Sequence, residues 1–234
     1  DDGTSLGAAY YCWHNHLKRK ERFVMKHAFW GPSYSEDEIL YEIKEKNLKY
    51  KKFDNTNELT KHAAKVISES NVVGWYQGRS EWGSRALGNR SILANPAHKN
   101  MKDIINSKIK KRESFRPFAP SVLNDDVTKF FECDIRSEFM NHIVKFKKEW
   151  CEVFPSVCHV DDTARLQTVN KDNNPLFYQL ISELKKITSY GIILNTSFNE
   201  NEPIVDTPEQ AINCFLRTDM DILFLEKFMI CKDS

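Results

Sequence analysis

Apolar positions along the chain follow two periods, and their alternation sets the expected fold. Residues 5–17 read as helix, with small Gly7, Ala8 and Ala9 allowing close packing. Ser35 with Glu38 three positions on is a capping box, followed by Ile39, Leu40 and Ile43 at helical spacing. Leu59, Ala63, Val66 and Ile67 mark another helix, for which Asn57 is the expected cap. Residues 72–76 are β-branched and aromatic, which predicts a buried strand leading into a glycine-rich loop. Ile104, Ile105 and Ile109 predict a helix over 101–112, ended by Pro117. Residues 118–123 predict a strand, and Pro120 places it at a sheet edge or gives it an irregular start. Asn124 is the expected cap of a short helix through Phe130, and 139–146 reads as a strand.

Further along, Leu166 and Val169 alternate as in a strand. Asn174 followed by Pro175 predicts a helix start, with Leu176, Leu180, Ile181, Leu184 and Ile187 on its buried face and Gly191 as its stop. Residues 192–194 predict a short buried strand that ends in NTSFN at 195–199. Thr207-Pro208-Glu209 opens a helix through Phe215, and 222–225 is the last clear strand. Strands and helices interleave without a repeat, so the expected class is α/β: a twisted mixed sheet with flanking helices. Strand order does not follow from such a pattern.

Composition narrows the picture only a little. With 234 residues, 41% apolar and 29% charged, the chain can bury one substantial core, alone or with a smaller appendage. A net charge of +1 argues against a general nucleic-acid coat protein. No apolar run reaches membrane-span length. Cys12, Cys133, Cys151, Cys158, Cys214 and Cys231 contain no CxxC and read as reduced thiols of a cytoplasmic protein. Cys12-x-His14-x-His16 does not set ligands on one helical face, and Cys158-His159 is a weaker metal signal still. The chain opens on DDGTSLGAA, with neither an initiator Met nor a signal region, and is expected to be a piece of a longer one.

Charge distribution changes the picture more. Between Arg79 and Arg116 there are ten Lys/Arg against three Asp/Glu, a local charge of +7, so the remainder carries −6. Such cations repel one another unless solvent or an anion compensates them. Arg79, Arg85 and Arg90 are six and five residues apart and do not form one helical stripe. Gly78, Gly83 and Gly88 between them mark turns. Trp75, Tyr76, Trp82, Phe115 and Phe118 supply walls, and guanidinium forks suit phosphate and carboxylate. A pocket for an anion fits this arrangement better than a solvated face. Glu81 is expected to pair with Arg79 or Arg85 and orient it, with a general-base role as the alternative.

The blocks GRSEWGSRALGNRSIL and NSKIKKRESFRPFAPSVL, with DDGTSLGAA, DDTARLQTV and LNTSFNENEPIVDTPEQAI in the same order, resemble the carbamoyltransferase family that acts on hydroxyls of nodulation factors, cephalosporins and aminoglycosides. The resemblance covers nearly all of the chain. It implies a C-terminal domain similar to threonylcarbamoyl-adenylate synthases, with the sheet over a basic cavity in which carbamoyl phosphate and ATP become carbamoyl-adenylate. Mg²⁺ would accompany ATP. An upstream domain of actin/Hsp70-like ATPase architecture, holding a divalent metal with iron as a candidate, would pass the carbamoyl group to a hydroxyl-bearing small-molecule acceptor. On this reading residues 1–30 end the upstream domain, 31–57 connect, and 58–234 form the adenylate-forming domain.

Carried over by motif, Arg85, Lys110, Arg116 and Arg165 match catalytic anion-handling positions. Arg79, Arg90, Asn195 and Ser197 match substrate-binding ones. Asp1 matches a metal ligand, with Asp2 the alternative one register along, and the histidine ligands would lie upstream. Ser84 and Ser114 stand where the family usually has Pro, which loosens the backbone slightly. Two other readings remain open: a threonylcarbamoyl-adenylate synthase for tRNA modification, against which the DDGTSLGAA start argues, and a non-catalytic RNA-binding module. Neither membrane association nor nucleic acid is the expected partner.

Overall fold

Residues 72–76 alternate their side chains between two apolar layers. Val73 and Trp75 pack into one, Val72 and Tyr76 into the other, as the two-residue period of a strand requires. A computed structural model describes residues 3–232. The described residues form nine strands: β1 (Tyr50–Lys52), β2 (Val73–Tyr76), β3 (Arg90–Ala94), β4 (Ala119–Leu123), β5 (His142–Lys145), β6 (Thr163–Val169), β7 (Ile192–Ser197), β8 (Ile222–Leu225) and β9 (Phe228–Cys231). They form one sheet in the order β1-β9-β8-β2-β3-β7-β4-β6-β5. The β2/β8 and β4/β6 pairs are parallel and the other neighbours antiparallel. The molecule is thus mixed α/β.

The helices are α1 (Thr4–Tyr11), α2 (Glu36–Glu45), α3 (Thr56–Ser68), α4 (Met101–Ile104), α5 (Val127–Phe130), α6 (Lys148–Val153), α7 (Pro175–Thr188) and α8 (Pro208–Arg217). One sheet face carries α3 and α7. Leu59, Ala63 and Ile67 of the first and Phe177, Ile181 and Leu184 of the second meet Trp75, Leu93 and Phe224. The opposite face buries Ile39 and Ile43 of α2, Ile105 beyond α4, and Ile212 and Phe215 of α8 against Tyr76, Ile92, Val122 and Leu194. Each fully buried side chain of this size contributes roughly 1.5–3 kcal/mol. No helix among the described residues is long and apolar enough to cross a membrane.

Caps explain where several helices begin. Ser35 and Glu38 form the expected capping box at α2, and Thr207 with Gln210 forms a second at α8. Asn174 accepts from the Phe177 N–H at 3.0 Å, with Pro175 at the first helical position. Two caps differ from expectation. Asn55, rather than Asn57, accepts from the Glu58 N–H at 3.0 Å and starts α3. Ser189, at φ 68°, closes α7. Gly191 serves another purpose, since a Cβ there would stand 1.9 Å from Asp126 Oδ2.

Of the two settings expected for Pro120, the irregular start holds and the sheet edge does not: β4 lies inside the sheet, between β7 and β6, and its ladder with β6 begins after the proline. The Leu123 N–H donates to Gly191 O on the β7 side. By alternation the Pro120 nitrogen faces β6, where the ladder begins only at Ser121, so no rung is lost. Two strands were not legible. β3 follows directly on the glycine-rich loop, and β9 is joined to β8 by a two-residue turn with Glu226 at φ 51°. The connector stretch carries the expected helix α2 and, within 44–57, the one strand that reading allowed, β1, which extends the sheet beside β9. α1 buries none of its residues and continues into a π-helical turn over Cys12–His16.

Gly88 has φ 111°, and a Cβ there would meet the Phe177 ring at 2.3 Å. Gly88→Ala is expected to cost about 3 kcal/mol of unfolding free energy, from strain and overpacking together. Gly7, with nothing near its Cβ position, is the control: Gly7→Ala leaves the denaturant midpoint unchanged.

Candidate active site

The helical layer of α3 and α7 covers only part of its sheet face. Along β6, Val169 belongs to that layer, whereas Gln167 and Arg165, on the same face, run beyond it. Ser121 of β4 is paired with Gln167, and Asn195 of β7 with Ala119. These polar side chains hydrogen-bond together. Ser121 Oγ donates to Gln167 Oε1 at 2.5 Å, and Asn195 Nδ2 donates to Gln167 Oε1 at 2.9 Å. Their remaining donors reach the glycine-rich loop: Gln167 Nε2 to Leu87 O at 2.8 Å and Asn195 Nδ2 to Ala86 O at 3.1 Å. The loop is therefore pinned to the sheet from below. Asn195 is 1% exposed, yet its Oδ1 has no partner.

From its own side the loop is held by Glu81. One carboxylate oxygen accepts backbone N–H bonds from Leu87 and Asn89, both at 2.8 Å, and from Arg90 at 3.2 Å. This corrects the expectation that Glu81 orients an arginine side chain. Burial pushes its carboxyl pKa up, against the lowering effect of those N–H groups. The second oxygen, Oε2, is buried without a partner.

The sequence-predicted cations separate into distinct environments. Arg90 is fully buried. It donates to Gln77 O, Asn89 O and Gly78 O at 2.8–3.1 Å, and lies 3.5 Å from the Tyr76 ring centroid. Its Nε has no partner. Arg165 is half-buried, and its Nε also lacks one. Burial lowers the Arg165 pKa, and Arg85 and then Arg112 lower it further. Arg112, which the motif match did not single out, donates to Asn106 Oδ1 at 2.7 Å and stacks over Phe118. Arg116 is exposed and paired with Glu113 at 2.9 Å. Arg79 binds the carbonyls of Gly31 and Trp30, which ties the 30–31 turn to the loop. Asp1 and Asp2 lie outside the described residues.

Lys110 follows a π-helical turn over Ile105–Ile109 and is 1% exposed. Its ammonium touches four oxygens: Ser197 O at 2.5 Å, Asn199 Oδ1 at 2.6 Å, Asn199 O at 2.8 Å and Ser197 Oγ at 3.2 Å. It therefore fixes the NTSFN turn at the end of β7. None of these partners is a carboxylate.

Arg90 and Ser197 line a cavity of about 560 Å³, together with Glu81, Ser84, Asn199 and Asp206. Gly83 and Ser84 also border a second cavity of about 350 Å³, lined by Arg85, Trp82 and Asn141. The loop thus stands between two hollows. Of the predicted residues, Arg85 and Arg165 come together, as do Lys110 and Ser197, and Arg90 joins the second group through the larger cavity. Sequence reading missed Gln167, Ser121 and Arg112. Arg112 lies within the matched KKRESFR block, and Gln167 alternates with Arg165 two positions away, which is the signal that could have found them.

Burial, and next Arg112, pushes the Lys110 pKa down to about 7. In the unfolded chain a lysine keeps its proton until about pH 10.4. Between these values the unfolded state binds more protons, so stability from this group rises with pH across the window. In urea melts at pH 7 to 10, Lys110→Met is expected to flatten that rise. An unchanged slope would refute the titration.

Similarities to known proteins agree with this geometry. An uncharacterized protein of Synechocystis is 39% identical over 261 aligned positions, covering 100% of this chain and 42% of the relative. Nodulation protein NolNO of Sinorhizobium fredii is 42% identical, covering 99% of this chain and 35% of that protein. The chain therefore spans less than half the length of these curated relatives. Among solved structures, E. coli YciO shares the fold, with a TM-score of 0.50 at 12% identity over 78% of this chain and 92% of that one. Residues 64–232 match the family model described as the carbamoyltransferase C-terminus, and the chain belongs to that family.

Proposed function

We propose that this domain is part of an ATP-dependent O-carbamoyltransferase and forms carbamoyl-adenylate from carbamoyl phosphate and ATP. The carrying observation is the pair of guanidinium Nε atoms, on Arg90 and Arg165, that are buried without partners. A buried unpaired donor is costly, and an anionic ligand is the partner that would relieve it. Arg85 and Arg112, close enough to depress the Arg165 pKa, make an anion there more favourable still. The motif resemblance adds which anions: phosphates and a carbamate.

Carbamate is a weak and unstable nucleophile. Water has to hydrolyse carbamoyl phosphate in place, giving carbamate and inorganic phosphate, and one carbamate oxygen then attacks the α-phosphorus of ATP as pyrophosphate leaves. Several negative groups crowd together in that step, and preorganised cations lower its barrier by offsetting their repulsion. Arg85, Arg112 and Arg165 would take phosphate oxygens through their forks. Lys110 would act indirectly, by holding the Ser197 and Asn199 turn in shape. Ser197 and loop N–H groups would donate without adding charge. The unpartnered Glu81 Oε2 and the Asp206 carboxylate line the same cavity, and a Mg²⁺ ion bound to phosphates fits such oxygen donors. Mg²⁺ would supply charge neutralisation there.

Transfer to an acceptor hydroxyl is assigned to a further, actin-like domain with its own divalent metal, of which residues 1–30 would be the last part. The acceptor class, a hydroxyl-bearing small molecule, rests on the motif resemblance. A cytoplasmic location belongs to the same reading.

ATP–pyrophosphate exchange in the presence of carbamoyl phosphate tests the reaction. Arg165→Ala is expected to lower exchange about 100- to 1,000-fold, the effect of losing one preorganised donor. Lys99→Ala, an exposed cation of the same stretch, should cost far less. Equal small losses in both would show that the stretch acts only as a diffuse field.

Ligand binding is measurable separately. ATP or carbamoyl phosphate at a hundredfold excess over its dissociation constant should add about 2.7 kcal/mol of stability. Thermal melts at low salt decide this, because screening is weakest there. No shift with either ligand would count against an anion pocket.

A further inference from the structure

We propose that Cys151, Cys158 and Asp162 form a site for a thiophilic divalent cation of the Zn²⁺ class, a site that is structural and independent of the activity assigned above. Their ligand atoms, two thiol sulfurs and one carboxylate oxygen, all lie within 4.8 Å of one another. The three residues come from different pieces of backbone: Cys151 from α6, Cys158 from the turn after it, and Asp162 from the residue before β6. Each piece is fixed by the fold itself. Cys158 N–H donates to Phe154 O at 3.1 Å, Asp162 N–H to His159 O at 3.1 Å, and Phe146 N–H to Asp162 O at 2.9 Å. Asp162 adopts φ 62°, a left-handed conformation that Asp tolerates better than most residues. Both thiols are half-buried, whereas the carboxylate is exposed, so an ion can enter from solvent.

Two soft sulfurs and one oxygen suit Zn²⁺ or Co²⁺ rather than Mg²⁺ or Ca²⁺, which prefer all-oxygen shells. Three protein ligands leave a fourth tetrahedral position for water. On binding, each thiol loses its proton to solvent, two metal–thiolate bonds and one metal–carboxylate bond form, and no electrons are transferred. A disulfide between the two cysteines is the competing chemistry, but it would make no use of the carboxylate. The bound ion would tie α6 to the turn from which β6 emerges, three residues before Arg165.

Co²⁺ titration of the reduced, metal-free full chain tests the site. The expected result is thiolate-to-cobalt charge-transfer absorption with the strong d–d bands of a tetrahedral centre, saturating at one ion per chain and displaced by Zn²⁺. Cys151→Ser and Cys158→Ser should abolish the charge-transfer band. Asp162→Asn, at an exposed side chain that circular dichroism should show to be folded, should weaken Co²⁺ binding about tenfold or more. Cys12→Ser, which removes the thiol of the other Cys/His cluster, should leave the spectrum intact. A Co²⁺ spectrum without charge-transfer intensity, or one that survives Cys151→Ser, overturns the assignment. So does its loss in Cys12→Ser, or Asp162→Asn binding as tightly as the unaltered chain.

Discussion

Buried cations here are stabilised by neutral oxygens instead of carboxylates, and much of the site depends on that choice. Arg90 is held by three carbonyls and Lys110 by two carbonyls, an amide and a hydroxyl. Carbonyl dipoles replace part of the hydration that burial removes. At Arg90 they leave the positive charge in place, whereas burial brings the Lys110 pKa down to about 7. A carboxylate partner would have neutralised it, and an anion arriving later would then compete with a resident one. Two carboxylates lie close to Arg90, and both are engaged by backbone N–H groups: Glu81 by those of Leu87, Asn89 and Arg90, and Glu226 by that of Gly78. A positive field can thus persist inside a chain that is almost neutral overall.

That arrangement couples the shape of the loop to its charges. The carbonyls that hold Arg90 belong to residues 77, 78 and 89, on both sides of the glycine-rich loop. Glu81 closes the same loop from within, and Gln167 and Asn195 anchor it to the sheet. Removing any of these groups leaves another buried group unpaired, so these contacts favour this loop conformation although three of its glycines sit at positive φ. Those glycines supply backbone angles that other residues reach only with strain.

Much of the fold was legible because local signals agreed with packing. The capping boxes at Ser35 and Thr207 and the Asn174-Pro175 start name helix origins from side-chain chemistry alone, and the structure bears them out. β3 was not legible: RSILA opens on an arginine, and only the buried setting around Arg90 makes that position compatible with a central strand. Pro120 left its strand's place in the sheet open for a related reason, since strand centrality depends on which side of the ladder its nitrogen faces, and sequence does not show that. For the site, the family resemblance grouped Arg85 with Arg165, and the structure sets Arg85 close to Arg165, which shares with Gln167 the face of β6 that the loop covers. The supporting amides and hydroxyl were invisible, because Gln167, Ser121 and Asn195 meet only through strand pairing across β6, β4 and β7.

The charge excess read from sequence also overstates what can act on a ligand. Of the ten cations between Arg79 and Arg116, Arg116 is paired with Glu113 and Lys111 with Glu200. Arg79 binds carbonyls, Lys99 and Lys108 are exposed where solvent screens them, and Lys102 is partly exposed on α4. Lys110 is buried behind the turn that it holds. The cations left near partner-free buried donors are Arg85, Arg90 and Arg112, and Arg165, from outside the basic stretch altogether, lies with Arg85 and Arg112. A cationic run therefore locates the region of such a site. Desolvation and missing partners decide which of its members can recognise an anion, because an exposed or paired charge gains little more when the anion arrives.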